Sequence, residues 1–118
     1  MTPREIVNEY YRLANLNDWD KWCDLFHEDM VMDEQLGGHL EKLSNLRPIM
    51  KGFKQGWQKF QNVPEDVIIE GDKAAVKSHI TEITPEGKRI EVDVMNYFRF
   101  ADGKIIYMKN FHDTAPYK

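Results

Sequence analysis

The chain has 118 residues, 42% of them hydrophobic and 31% charged, which suffices for one core and one domain. Its net charge of -4 comes from interspersed acidic and basic residues, so it lacks the clustered positive face that nucleic acid requires. No stretch approaches the roughly 20 apolar residues that span a bilayer and the N-terminus carries no apolar leader, so a cytoplasmic protein without membrane contact is expected.

Thr2, Pro3 and Glu5 form a helix start: a hydroxyl cap, a proline in the first turn and a capping-box glutamate. Ile6, Val7, Tyr10, Leu13 and Ala14 then recur at helical spacing, up to an end near Asn15 to Asn17. Asp18 caps a second, shorter helix that buries Trp19, Trp22, Cys23, Leu25 and Phe26. Cys23, the single cysteine, is read as a buried, inert thiol. A strand begins at Met30 and runs through Val31 and Met32 into Asp33 and Glu34. Successive strand residues point to opposite faces, and parity sends Glu34 inward with the two methionines. A carboxylate there would have a raised pKa and could act as a general base or acid.

Gly37 and Gly38 open a long loop carrying Leu36, Leu40, Leu43 and Leu46, which reads equally as a lid or binding loop and as a covered turn of helix. Arg47 to Phe60 is predicted as a third helix with Ile49, Met50, Phe53, Trp57 and Phe60 inward. Its basic residues Arg47, Lys51, Lys54 and Lys59 are read as a solvated face. After Val63-Pro64 the period changes to two. Glu65 to Glu70 is a strand, turned back by Gly71-Asp72 into Ala74 to Ile83, where Ala74, Val76, Ser78 and Ile80 make the drier row and Lys77, His79 and Thr81 the wetter one. Pro85-Glu86-Gly87 is a hairpin turn. In the strand from Ile90 to Phe100, Ile90, Val92, Val94, Asn96, Phe98 and Phe100 share one face, and Ala101-Asp102-Gly103 leads to a last strand, Lys104 to His112.

These elements predict an α+β domain: three helices packed on a strongly curved, mostly antiparallel sheet that curls into a cone. The outer face of the long strand mixes charges with Met95 and Tyr97, a texture that suits a partly wet homodimer interface. Asn96 inside an apolar row must be satisfied by a polar network or by a ligand. His27, His39, His79 and His112 have no partners at metal-ligand spacing, so no metal is expected. No nucleotide-binding loop or nucleophile elbow occurs.

Three stretches carry a family resemblance: Ile6-Val7-Asn8-Glu9-Tyr10; Asn17-Asp18-Trp19-Asp20 running to Leu25-Phe26-His27-Glu28-Asp29; and Tyr97-Phe98-Arg99-Phe100 followed by Asp102-Gly103-Lys104. Through them the chain resembles the nuclear-transport-factor-2-like (NTF2-like) superfamily, in the branch of ketosteroid isomerases and SnoaL-like polyketide cyclases. The resemblance implies the cone fold, no cofactor and a small, mostly apolar, carbonyl-bearing ligand. Tyr10 falls where the isomerases keep an oxyanion-hole tyrosine, Glu34 on their aspartate base, and Asn96 where they hold a protonated aspartic acid. The base is one methylene longer here, and asparagine can donate a hydrogen bond but cannot carry the proton. SnoaL-like cyclases use an acidic residue near the terminal strands, which makes Asp113 a lesser candidate.

The expected catalytic set is Tyr10, Glu34, Asn96 and His112, the last placed near the cone's mouth beside Met108 and Asn110. The expected substrate wall is Trp22, Phe26, Met32, Phe53, Trp57, Ile80, Met108 and Asn110. An isomerase or cyclase acting by proton abstraction next to a carbonyl is the leading reading. The alternatives are a scytalone-type dehydratase and a non-catalytic dimeric module that binds a hydrophobic molecule.

Overall fold

The computed structural model describes residues 1–53 and 56–118. Helix α1 (Pro3–Asn15) starts on the expected capping box: Thr2 Oγ1 accepts from the Glu5 N–H at 3.2 Å and Glu5 Oε1 accepts from the Thr2 N–H at 2.8 Å. It buries Ile6, Val7, Tyr10, Tyr11, Leu13 and Ala14. Asn17, at φ 56°, turns the chain into α2 (Trp19–Cys23), which Asp18 caps. Strand β1 (Phe26–Glu34) begins four residues before the predicted Met30, so Leu25 and Phe26 leave the helix although both stay buried.

The Gly37-Gly38 segment is a tight hairpin rather than a long loop, because Glu34 pairs with Gly38 and β2 (Gly38–Glu41) folds back along β1. Helix α3 (Leu43–Phe53) starts four residues earlier than predicted and stops seven earlier. It buries Leu46 and Met50, whereas Ile49, expected inward, is 54% exposed. Lys51 and Arg47 do lie on it, Lys59 opens the next strand, and Lys54 lies outside the described residues.

Four strands complete the sheet: β3 (Lys59–Glu70), β4 (Lys73–Ile83), β5 (Arg89–Ala101) and β6 (Lys104–His112). Strand β3 extends the predicted Glu65 start back through Val63-Pro64, where a register shift between Pro64 and Asp66 accommodates the proline that a regular ladder would exclude. Asp102 and Gly103, both at positive φ, make the β5–β6 turn. The order is β2-β1-β6-β5-β4-β3, antiparallel throughout except for the parallel β1–β6 pair.

The three helices pack on one face of this six-stranded sheet, forming the α+β cone that the patterning predicts. Val76, Phe98 and Ile105 are buried in one core cluster with residues of α1 and α2 and with Met30 from β1. Strand β5 alternates without exception from Ile90 to Phe100, its even-numbered residues buried. Thr81 and Glu82 are both buried, so the wet row expected at Thr81 ends before the strand does. Cys23 is 1% exposed, and burial pushes its thiol up to about 11. Among the described residues no helix is long and apolar enough to cross a membrane.

Candidate functional site

Between the helices and the inner face of the sheet lies a cavity of about 210 Å³. A larger surface depression, about 350 Å³, sits over the α1–α2 turn, but Asn17, Asp18, Asp20 and Lys51 wall it and it holds none of the candidate residues. The inner cavity is lined by Tyr10, Glu34, Asn96 and His112, the four residues expected to do chemistry. Of the expected substrate wall, Trp22, Met32, Phe53, Trp57, Ile80, Met108 and Asn110 line it as well. Phe26 does not: it is 2% exposed and packs against Trp22 with ring centroids 4.7 Å apart, in the core outside the cavity wall.

Adjacent residues of a strand face opposite ways, and the two carboxylates of β1 have separate environments accordingly. Glu34 faces the cavity, and burial raises its pKa while nearby His112 and the Gly37 N–H pull it back. A Cβ on Gly37 would lie 3.4 Å from Glu34 Oε2, so the glycine leaves room for the carboxylate against the turn. Asp33 also borders the cavity, but its carboxylate is engaged elsewhere, accepting from the Tyr107 hydroxyl at 2.8 Å and meeting His39 Nδ1 at 2.6 Å. Those two partners hold its pKa below the usual value. Asp113 is exposed and caps the final turn through the Ala115 N–H at 2.9 Å, away from the cavity wall.

Tyr10 comes from the buried stripe of α1, packed edge-on against Tyr11 and Phe98 at 4.8 and 5.1 Å between ring centroids. Burial first, then Tyr11 and Glu34, push its phenol well above the usual range. It therefore remains a hydrogen-bond donor at any physiological pH. Asn96 also lines the cavity, but its amide is engaged: Nδ2 donates to the Tyr11 hydroxyl at 2.8 Å and to Ser78 Oγ at 3.3 Å. The buried asparagine is thus satisfied by a polar network with Tyr11 and Ser78, which lie across α1 and β4.

The β1–β2 turn is tied to β6 by a reciprocal pair. The Gln35 N–H donates to Asn110 Oδ1 at 2.9 Å and the His112 N–H donates to Gln35 Oε1 at 3.0 Å. His112 Nδ1 lies 2.8 Å from the Asp113 carbonyl, which can only accept, so Nδ1 carries the proton and Nε2 is left for the cavity side. Among the described residues no group of three or more His, Cys, Asp or Glu could hold a metal ion.

Sequence reasoning missed Asn62, Glu82 and Tyr117, which all line the same cavity. Glu82 is 5% exposed, and burial, with a small contribution from Glu34, pushes its carboxyl up to about 7 against a partial offset by the Tyr117 hydroxyl. Among the described residues its Oε2 has no hydrogen-bond partner, nor has Oδ1 of Asn62. The signal was present: Glu82 continues the dry row Ala74, Val76, Ser78, Ile80 by the same parity that selected Glu34.

The SnoaL-like domain model matches residues 7–108, most of the chain. The chain belongs to the SnoaL-like family. Solved structures agree on the fold. An NTF2-like protein of unknown function from Burkholderia pseudomallei superposes with a TM-score of 0.85 at 16% identity, over 95% of this chain and 91% of that one. A candidate polyketide cyclase of Pseudomonas putida gives 0.83 at 20% identity, over 99% and 96%. TerC, co-crystallised with polyporic acid, gives 0.82 at 18% identity, over 96% and 92%. At these identities the likeness is one of fold. No curated protein matches the sequence significantly.

Proposed function

We propose that this SnoaL-like chain is a cofactor-independent isomerase or cyclase that abstracts a proton next to the carbonyl of a small, mostly apolar substrate. The observation that carries the proposal is a desolvated Glu34 sharing one aromatic cavity with the permanently protonated phenol of Tyr10. A carboxylate raised above its ordinary pKa is a better base, and removing a proton beside a carbonyl creates an enolate whose oxygen needs a donor. Tyr10 supplies that donor. Asn96 can become a second by giving up its longer bond to Ser78 and keeping Tyr11. His112, beside Glu34, orients the substrate or returns the proton. The apolar rings of Trp22, Phe53 and Trp57 hold the hydrocarbon part and keep water from the enolate. The co-crystallisation of TerC, of the same fold, with polyporic acid is consistent with a small-molecule role.

The test is exchange of an acidic C–H of a cavity-sized ketone with solvent deuterium, followed by NMR. Glu34→Gln should slow enzyme-dependent exchange by at least about 100-fold, the range of a positioned general base. Exchange that continues unchanged in this variant refutes the base assignment.

A second reading, a non-catalytic binding module, is favoured by the engagement of Asn96 in an internal network. It predicts that Tyr10→Phe and Asn96→Ala change ligand affinity while no exchange is detected with the unmodified protein either.

A homodimer through the outer face of the sheet is proposed alongside either reading. It is supported by Met95 and Phe111, which pair across β5 and β6 and are 44% and 49% exposed.

A further inference from the structure

Two buried acceptors stand side by side on the cavity wall formed by β3 and β4, at the edge of the sheet opposite β1 and Glu34. Phe60 of β3 pairs with Glu82 of β4, and Asn62 pairs with Ile80, so Asn62 and Glu82 are diagonal neighbours on one face of adjacent strands. Both are 5% exposed, and each has an oxygen, Asn62 Oδ1 and Glu82 Oε2, with no hydrogen-bond partner among the described residues. Their neighbours on that face, Phe60 and Ile80, have nothing to donate. An unmet buried acceptor is costly, and two together in a cavity wall are unexpected unless something else supplies the donor. The described cavity-lining residues include no lysine or arginine, and the indole N–H groups of Trp19 and Trp22, which line the same cavity, are themselves without an acceptor and do not reach either oxygen. The Tyr117 hydroxyl lies against the Glu82 carboxyl but leaves Oε2 unmet.

We propose that Asn62 and Glu82 form a second polar subsite that receives a hydroxyl of the ligand, so that the substrate is a two-ended molecule: a carbonyl toward Tyr10 and Glu34, an apolar ring between, and a hydroxyl at the far end. The hydroxyl end is inferred from Asn62 and Glu82 alone, whereas the carbonyl end rests on the reaction proposed above. The size of the cavity limits the ring. A dry cavity of about 150 Å³ accommodates benzene, so about 210 Å³ suits a single substituted ring. The described wall, which has no basic residue, also disfavours a carboxylate at the hydroxyl position, because nothing there would neutralise it and the ionised form of Glu82 would repel it.

The test compares three probes at pH 7 by ligand-observed NMR titration: acetophenone, 4-hydroxyacetophenone and 4-methoxyacetophenone. The hydroxyl compound should bind about tenfold more tightly than the other two, the effect expected of one hydrogen bond to a charged or strongly polar acceptor. Glu82→Met should remove that preference while acetophenone affinity stays within about twofold. Glu34→Gln should leave the preference intact while abolishing deuterium exchange, which separates failure of this subsite from failure of the proposed reaction. Equal binding of all three probes to the unmodified protein overturns the proposal and assigns the acceptors to an internal water. A tenfold preference that survives in folded Glu82→Met overturns the role of Glu82. Should that variant not fold, Asn62→Ser, expected to cut the preference to about threefold, decides in the same way.

Discussion

Glu82 makes stability depend on pH in a direction opposite to that of an ion-paired acid. Its folded value of about 7 stands above the ordinary 4.5, so on raising the pH the unfolded chain gives up the proton first and the folded state lags. The folded protein therefore loses stability between about pH 4.5 and 7, on the order of 3 kcal/mol from this group alone. Urea melts should show Glu82→Gln flattening that loss, with the variant equal to the parent near pH 4 and more stable by about 1–3 kcal/mol at pH 8. Glu34, raised in the same direction, adds to the slope. For activity the sign reverses, because the base must be ionised to take a proton. The acid limb of the exchange rate should sit above the usual glutamate pKa and disappear with Glu34→Gln. Asp33 next door provides the internal control, since Asp33→Asn removes a carboxylate that faces Tyr107 and His39, and exchange should persist.

At the scale of elements, the N-terminal cap matters because α1 carries Tyr10 and Tyr11. Thr2→Ala deletes the acceptor for the Glu5 N–H and should cost about 1 kcal/mol, a fall of about 4 °C in thermal midpoint, with ligand affinity little changed. Which elements could be read from the sequence follows from how local their cause is. The cap, β5 and β6 are set by neighbouring residues and by strict alternation, and their observed limits match to within a residue. Helix α3 is a different case. Met50, Phe53, Trp57 and Phe60 recur at helical spacing by coincidence, although the helix stops at Phe53 and Phe60 already belongs to β3. What decides the matter is the pairing of Lys59 through Pro64 with β4, a long-range contact invisible in local periodicity. The same error hid Asn62, which belonged to no strand until β3 was extended. Glu34 could be placed because its parity reference, Met30 and Met32, lies within four residues. Asn96 was recognisable as a buried polar residue, but its partners Tyr11 and Ser78 are 85 and 18 positions away.

At the scale of the whole molecule, the sheet has one face under helices and one face open. On the open face Met95 and Phe111 sit directly opposite each other, and Tyr97 and Tyr107 pack with ring centroids 6.2 Å apart. Single-sign charge there is avoided: His79 meets Asp93 at 2.9 Å, and Lys77 pairs with Glu65. A homodimer on this face should sediment at twice the chain mass at micromolar concentration. Met95→Glu combined with Phe111→Glu should give the monomer with an unchanged circular dichroism spectrum, because like charges across two copies oppose association while neither side chain supports the core. A monomeric parent protein would rule the interface out.

The parallel seam has a further outcome for how the molecule comes into being. Strand β1, which bears Glu34, has only short β2 as a neighbour until β6, the last strand of the chain, is laid beside it. Met108, Asn110 and His112 arrive on that same strand, so during synthesis the first half of the cavity wall waits for the second. Competence to bind a ligand is thus acquired only once β6 has been laid beside β1, and a molecule that stabilises the cavity also reports on that pairing.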